Sequence, residues 1–160
     1  MIFITVGSQK FQFNRLLREI DNLIEKKVIV EEVFAQIGYS DYIPKNYKFK
    51  KFLDKDEFNN FIDSSRIIIT HGGTGSIISA LKKSKKVIAI PRLSKYGEHV
   101  DDHQIQIVRQ FEKIGFLQGV NDISKLDIAI NDLENKQFKS YVSNTKKIID
   151  EIDKFIINMN

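Results

Sequence analysis

The chain has no cysteine among its 160 residues. That excludes a disulfide framework and a thiolate zinc site, and it fits a cytoplasmic setting. Long hydrophobic runs are missing too. Ile67–Thr70 and Val87–Ile90 are strand-sized, far below the roughly 20 residues that span a bilayer. The first apolar run, Ile2–Val6, begins almost at Met1, so no charged secretory leader is expected. No Gly-x-Gly-x-x-Gly follows that run and no Gly-Lys-Ser/Thr P-loop occurs, which weakens a mononucleotide- or dinucleotide-binding reading. Internal repeats, low-complexity tracts and clear linkers are absent as well. The charge is only mildly one-sided, with 25 Lys and Arg against 21 Asp and Glu, a net +4. The lysines at 48–51 and 82–86 read as solvated loops and helix ends, or as attraction to an anionic membrane face. No motif or aromatic-interleaved basic stripe points to nucleic acid.

A hydrophobic content of 42% in a chain of this length describes one soluble domain, residues 1–160, with a proper core. Strand and helix patterns alternate along it. Strands are expected at Ile2–Val6, Val33–Ile37, Lys48–Leu53, Ile67–Thr70 and Lys86–Ile90. Helices are expected at about Asn14–Lys26, Asp54 or Lys55 to Ser64, Ser76–Lys83 and Asp101–Lys113. A final helix is expected over about residues 137–157, with Ile148, Ile149, Ile152, Phe155 and Ile156 in one stripe. The alternation predicts an α/β fold, a Rossmann-like parallel sheet with helices on both faces. Ligands of such sheets bind at the carboxyl ends of the strands. The polar loops Gly7–Lys10, His71–Ser76 and Arg92–Gln104 leave those ends, and all three histidines lie in the last two.

The segment Arg66-Ile-Ile-Ile-Thr-His71-Gly72-Gly73-Thr74-Gly75-Ser76 is the most informative. A buried-strand run ends in a histidine and a glycine-rich turn, and a helical pattern follows. Glycines let backbone approach a ligand closely, and the helix start offers unpaired N–H groups to an anion. A plain strand-to-helix turn is the alternative. Downstream, Gly97-Glu98-His99-Val100-Asp101-Asp102-His103-Gln104 is dense in groups that bind hydroxyls. A carboxylate-rich helix start explains the same stretch, and Asp101 best of all. His99 and His103 are four apart and can share a helix face near carboxylates, a spacing compatible with a metal. The order is not His-Glu-x-x-His, however, and no cysteine is available.

Three stretches carry a family resemblance: Ile2-Phe-Ile-Thr-Val-Gly-Ser8, Thr70-His-Gly-Gly-Thr-Gly-Ser76, and Pro91-Arg92 with Gly97 to Gln104. Together they resemble the C-terminal domain of glycosyltransferase family 28. More narrowly, the chain is similar to the donor-binding subunits of split bacterial capsule and exopolysaccharide glycosyltransferases. The soluble subunit of the dolichol-pathway N-acetylglucosaminyltransferase is their eukaryotic counterpart.

The resemblance implies the carboxyl, donor-binding half of a GT-B enzyme. It assigns diphosphate binding to Gly7, Ser8, His71, Gly72, Gly73, Thr74, Gly75 and Ser76. Sugar recognition falls to Glu98, Asp102, His103 and Gln104, and uracil to Phe52 and Leu53. Glu98 and His99 are the candidate catalytic groups, although a partner can equally supply the base. The expected reaction moves a hexose from a UDP-sugar to a lipid-diphosphate-linked acceptor, held by a membrane-associated subunit. Galactose is the first choice of donor, before N-acetylglucosamine and glucuronic acid, and the linkage is β-1,4. The expected location is cytoplasmic, peripheral at the inner membrane face. No cofactor and no metal are implied. One departure stands out: the peptidoglycan relative grips ribose with a glutamate on the helix after the glycine turn, where Ile77 or Ile78 stands here. A non-catalytic module that activates its partner, and an unrelated nucleotide-binding protein, remain the alternatives.

Overall fold

A computed structural model describes residues 1–144. Apolar side chains alternate across each central strand, as a sheet buried on both faces requires. Strand β1 (Ile2–Thr5) pairs in parallel with β2 (Val33–Gln36) on one side and β4 (Ile67–His71) on the other. The short β3 (Lys48–Lys50) forms one edge, and β5 (Lys86–Ile90) with β6 (Gln118–Gly119) completes the other. The order β3-β2-β1-β4-β5-β6 is parallel throughout.

Ile2, Ile4, Ile67, Ile69, Ile88 and Ile90 face the layer of α1 (Asn14–Glu25) and α5 (Leu126–Asp132). Phe3, Ile68, Val87 and Ala89 face α2 (Lys55–Ser64), α3 (Thr74–Lys82) and α4 (His103–Ile114). The isoleucines and the phenylalanine are almost fully buried, each contributing about 1.5–3 kcal/mol by burial. On the second face, Phe61 stacks on Phe34 with centroids 3.8 Å apart and on Phe3 at 5.5 Å.

Local chemistry sets the helix ends near the functional edge. Asp54 caps α2 by accepting from the amides of Asp56 and Glu57, and Glu57 accepts from the Asp54 amide in return. This capping box stabilises the helix by about 1 kcal/mol. The buried Asp21 on α1 anchors the loop before β3. It accepts from the Tyr42 hydroxyl at 2.7 Å and from the amides of Lys45 and Asn46. Asp21→Asn leaves the Tyr42 hydroxyl and the Lys45 amide facing a donor instead of an acceptor. The expected loss is about 2 kcal/mol in urea unfolding, with the slope unchanged.

Some elements differ from the expectation. Helix α3 starts two residues early, at Thr74, and α4 starts at His103 rather than Asp101. Strand β3 stops at Lys50, leaving Phe52 and Leu53 in the connection to α2. Strand β6 has only two residues, too few for a period to show. Helix α5 was not among the expected elements; Leu126, Ala129 and Ile130 on it, and Leu133 just after it, are buried on the α1 side. The final helix does not begin near residue 137, because residues 136–144 run irregularly across the domain. There the Lys139 amide donates to the Gly115 carbonyl and Tyr141 packs edge-on against Phe116. The stripe from Ile148 to Ile156 lies outside the described residues. No helix among the described residues is long and apolar enough to cross a membrane.

Candidate functional site

The chain leaves β1 towards one half of the sheet and β4 towards the other. Their loops therefore diverge and open a crevice at the carboxyl edge. A cleft of about 380 Å³ lies there, walled by Thr5, Gly7, Ser8 and Gln36, by Leu53 to Lys55 and Phe58, and by Gly75, Ser76 and Ser79. The structure thus brings Gly7, Ser8, Gly75, Ser76 and Leu53 to one place. Phe52 is not part of that wall. It is half-exposed and meets Tyr39 edge-on at 5.1 Å. Gln36, which the sequence reading missed, lines the cleft and donates to the Gly7 carbonyl. Its signal was a polar residue inside the apolar run Val33–Ile37.

Helix α3 opens on this cleft uncapped. Its N-cap is Gly73, with no side-chain hydrogen bond and no acidic residue in the first turn. The amides of Thr74, Gly75 and Ser76 have no acceptor among the described residues. A helix start of this kind presents partial positive charge. Lys55 adds a full charge at the opposite wall.

His71 sits behind the turn, 7% exposed, and contributes no wall to the cleft. Its ring is wedged between two glycines. A Cβ on Gly7 would lie 2.6 Å from its Cε1, and one on Gly73 only 2.2 Å from its Nε2. Gly7 also has φ +77°, a conformation that favours glycine. Gly72 is needed for a different contact, since its Cβ would come within 2.7 Å of Gln104 Cβ on α4. Gly75 differs from all three: a Cβ there would meet nothing within 4 Å.

Burial, aided by the charge of Arg92, pushes the His71 pKa down to about 4, against a weaker opposing contact with the Thr5 carbonyl. His71 is therefore neutral at pH 7. A lowered histidine pKa stabilises the fold fully above pH 6.5, and that contribution is lost as pH falls towards 4. Between pH 7 and pH 5 the loss should be on the order of 2 kcal/mol. Urea unfolding at the two values should show it in the wild type and much less of it in His71→Gln.

The downstream loop is a braced scaffold. Gln104, 2% exposed, accepts from the Gly72 amide at 3.1 Å and from the Arg92 amide at 3.0 Å through one oxygen, stapling the ends of β4 and β5. Its amide nitrogen has no partner among the described residues. Arg92, fully buried, donates to the carbonyls of Val6, Phe11 and Glu98, tying the first loop to this one. Burial lowers its pKa to about 10, with Glu98 opposing, so it stays charged.

Glu98 requires a correction. It is fully buried, and both its oxygens are engaged: Arg15 donates to each at 2.9 Å and the Leu93 amide donates to Oε2. A carboxylate held this way neither reads sugar hydroxyls nor takes a proton, and it is not free to grip ribose. Asp102 is occupied as well. It accepts from the Ser94 amide at 2.8 Å, which together with the Ser94 side chain holds its pKa below the usual range. His99 and His103 do not share a helix face, because His99 precedes α4. His99 lies on the Phe11 ring at 5.0 Å with Nε2 against Gln9, which sets it beside the first loop. His103 is half-exposed and pairs with Asp101, whose carboxylate also accepts from the His103 amide.

The family model for the glycosyltransferase family 28 C-terminal domain matches residues 1–157. The chain belongs to this family. The family-28 domain is 29% identical over 98 residues to the UDP-N-acetylglucosamine transferase subunit ALG13 of Candida albicans, covering 61% of this chain and 32% of that one. It is 26% identical over 128 residues to the human protein of the same name, covering 72% of this chain and 10% of that one. It therefore spans about a third or a tenth of these curated relatives.

Solved structures share the fold. An ALG13 solution structure has a TM-score of 0.60 at 18% identity, covering 94% of this chain and 93% of that one. A kitacinnamycin glycosyltransferase scores 0.63 at 14% identity, over 84% of this chain and 35% of that one. MurG of Acinetobacter baumannii scores 0.57 at 17% identity, over 82% and 41%. The architecture is that of the Rossmann-like carboxyl half of GT-B glycosyltransferases.

Proposed function

We propose that this domain holds the nucleotide sugar of an inverting two-subunit glycosyltransferase, with the diphosphate at the start of α3. One observation carries the reading. An uncapped helix opens onto a cleft at the topological switch point, and its first turn holds a glycine, Gly75, that no neighbour in the fold requires. A ligand at that backbone supplies the missing reason. The bare amides of Thr74, Gly75 and Ser76, with Ser8 and Lys55 opposite, meet the diphosphate charge without a metal.

Uracil then lies towards Leu53, and the sugar reaches the free amide nitrogen of Gln104. In the transfer, an acceptor hydroxyl oxygen attacks the anomeric carbon in line. The bond to the diphosphate oxygen breaks, and its electron pair leaves with UDP. The hydroxyl proton passes to a base, which is His99 beside the first loop or a group of the partner.

The acceptor, a lipid-diphosphate-linked saccharide, is brought by a membrane-associated subunit that completes the GT-B cleft. This domain then works in the cytoplasm, peripheral at the membrane through its partner. The resemblance to capsule and exopolysaccharide subunits favours surface polysaccharide assembly, a β-1,4 linkage and galactose. The names of the curated relatives favour N-acetylglucosamine, so both donors head the test.

Calorimetry on the full chain tests the diphosphate site. UDP should bind about 10- to 100-fold more tightly than UMP, the effect of hydrogen bonds to a charged group. Gly75→Ala should leave stability equal or slightly raised and yet narrow that gap. Equal binding of UDP, UMP and adenine nucleotides overturns the reading. Co-expression with the acceptor-side subunit, assayed with UDP-galactose and UDP-N-acetylglucosamine on a lipid-linked acceptor, tests the transfer.

A further inference from the structure

One cluster includes His99, offered above alongside the partner as a source of the base. His99, Asp101 and His103 each offer a ligand atom, and these atoms all lie within 4.8 Å of one another. His99 Nδ1 is 3.3 Å from Asp101 Oδ1, and His103 Nδ1 contacts the same oxygen. Ligands on a tetrahedral zinc ion, with bonds of about 2.0–2.1 Å, stand about 3.3 Å apart.

A second observation points to a cation. Histidines that ligate metals donate their other ring N–H to an oxygen, which fixes the tautomer and aims the lone pair. His99 has that arrangement. Its Nε2 faces Gln9 Oε1 at 3.2 Å; with the proton on Nε2, the Nδ1 lone pair is on the Asp101 side, where it accepts a long 3.4 Å contact from the Asp101 amide that an ion displaces. The ring is also held in place. His99 is 7% exposed at its side chain, lies on Phe11 at 5.0 Å and meets His103 edge-on at 4.8 Å. Arg92 pins the backbone on both sides of it, at Phe11 and at Glu98. One ligand is thus held in place, while Asp101 and His103 are exposed and already paired with each other.

We propose that His99, Asp101 and His103 form a zinc-class cation site between the first loop and the start of α4, with Gln9 orienting His99 and a fourth position open to water. Two imidazoles and one carboxylate select zinc, cobalt or nickel over magnesium and calcium, which take all-oxygen sets. The site shares no residue with the diphosphate turn, and an ion on His99 Nδ1 leaves the base of the transfer to the partner. His103 is half-exposed, so its ring proton moves from Nδ1 to Nε2 when the ion binds. An ion there joins the loop at Gln9 to the start of α4.

The test uses the full chain, free of any histidine tag and stripped of metal, with cobalt(II) alone as the probe. A visible absorption band should saturate at one equivalent, disappear on adding zinc, and persist in excess magnesium. His103→Ala and Asp101→Asn alter exposed side chains and should each abolish the band, with circular dichroism unchanged. Gln9→Ala should weaken zinc binding roughly 10-fold, the size of a lost orienting contact. No band in the wild type, or an unchanged band in either ligand variant, overturns the proposal. These readouts involve no nucleotide, so they are independent of the donor reading.

Discussion

Glu98→Ala should destabilise the protein by about 3 kcal/mol, read as a lower urea midpoint with little change in UDP affinity of the folded protein. Removing the carboxylate strands the Arg15 guanidinium, which packs between Phe13 at 5.3 Å and Tyr96 at 5.1 Å. It also leaves the Leu93 amide without its acceptor. Breaking a buried ion pair by deleting one partner costs about 3–5 kcal/mol. Arg15 keeps 17% side-chain exposure, so some of its charge is recovered by water and the lower end of that range applies. Glu98→Gln should cost less and retain transfer activity within a few-fold. Were Glu98 the catalytic base, Glu98→Gln would instead remove activity by orders of magnitude.

Gly73→Ala should weaken UDP binding more than 10-fold, the loss of at least one charge-assisted contact worth about 1.5–3 kcal/mol. The backbone itself tolerates alanine, since Gly73 has φ −78° and ψ 123°. The obstacle is the His71 ring, 2.2 Å from the added Cβ. That ring cannot retreat freely, because it already fills the space where a Cβ on Gly7 would stand, 2.6 Å from its Cε1, and the residue is 7% exposed. The turn must therefore shift, carrying with it the amides that start α3. Overpacking of this kind also costs about 1–3 kcal/mol of stability. Calorimetry with UDP on Gly73→Ala and Gly75→Ala separates two causes, since only the first substitution meets a protein atom. Wild-type UDP affinity in Gly73→Ala would show that the turn does not hold the diphosphate.

Much of the fold was legible because its signals are local. The isoleucine runs have strand length, α1 repeats its leucines and isoleucines at helical spacing, and glycines mark the turns between them. The five longer strands and four principal helices follow from those patterns. The two-residue β6 and the irregular path of residues 136–144 do not. Their positions depend on contacts with Ala89, Gly115 and Phe116, which no window of sequence contains.

The site divides along the same line. The residues of the glycine turn, the first loop and the Gly97 to Gln104 stretch were recognisable as a group, because each leaves the carboxyl end of a strand. Their individual tasks were not. Glu98 looks the same in sequence whether it faces a sugar or an arginine, and only the packing of α1 against the Leu93 loop places Arg15 beside it. Gly73 looks like a phosphate-loop glycine, yet its lack of a side chain first makes room for His71. Sequence alone determined the layered parallel sheet, the edge that carries the site and the kinds of groups gathered there, since periodicity and turn chemistry act between near neighbours. Only the tertiary structure decided which of those groups are occupied and which stay open to a ligand. A hydrogen bond or a steric contact depends on distances between segments 30 to 80 residues apart in the chain, and those distances exist only once the sheet has closed.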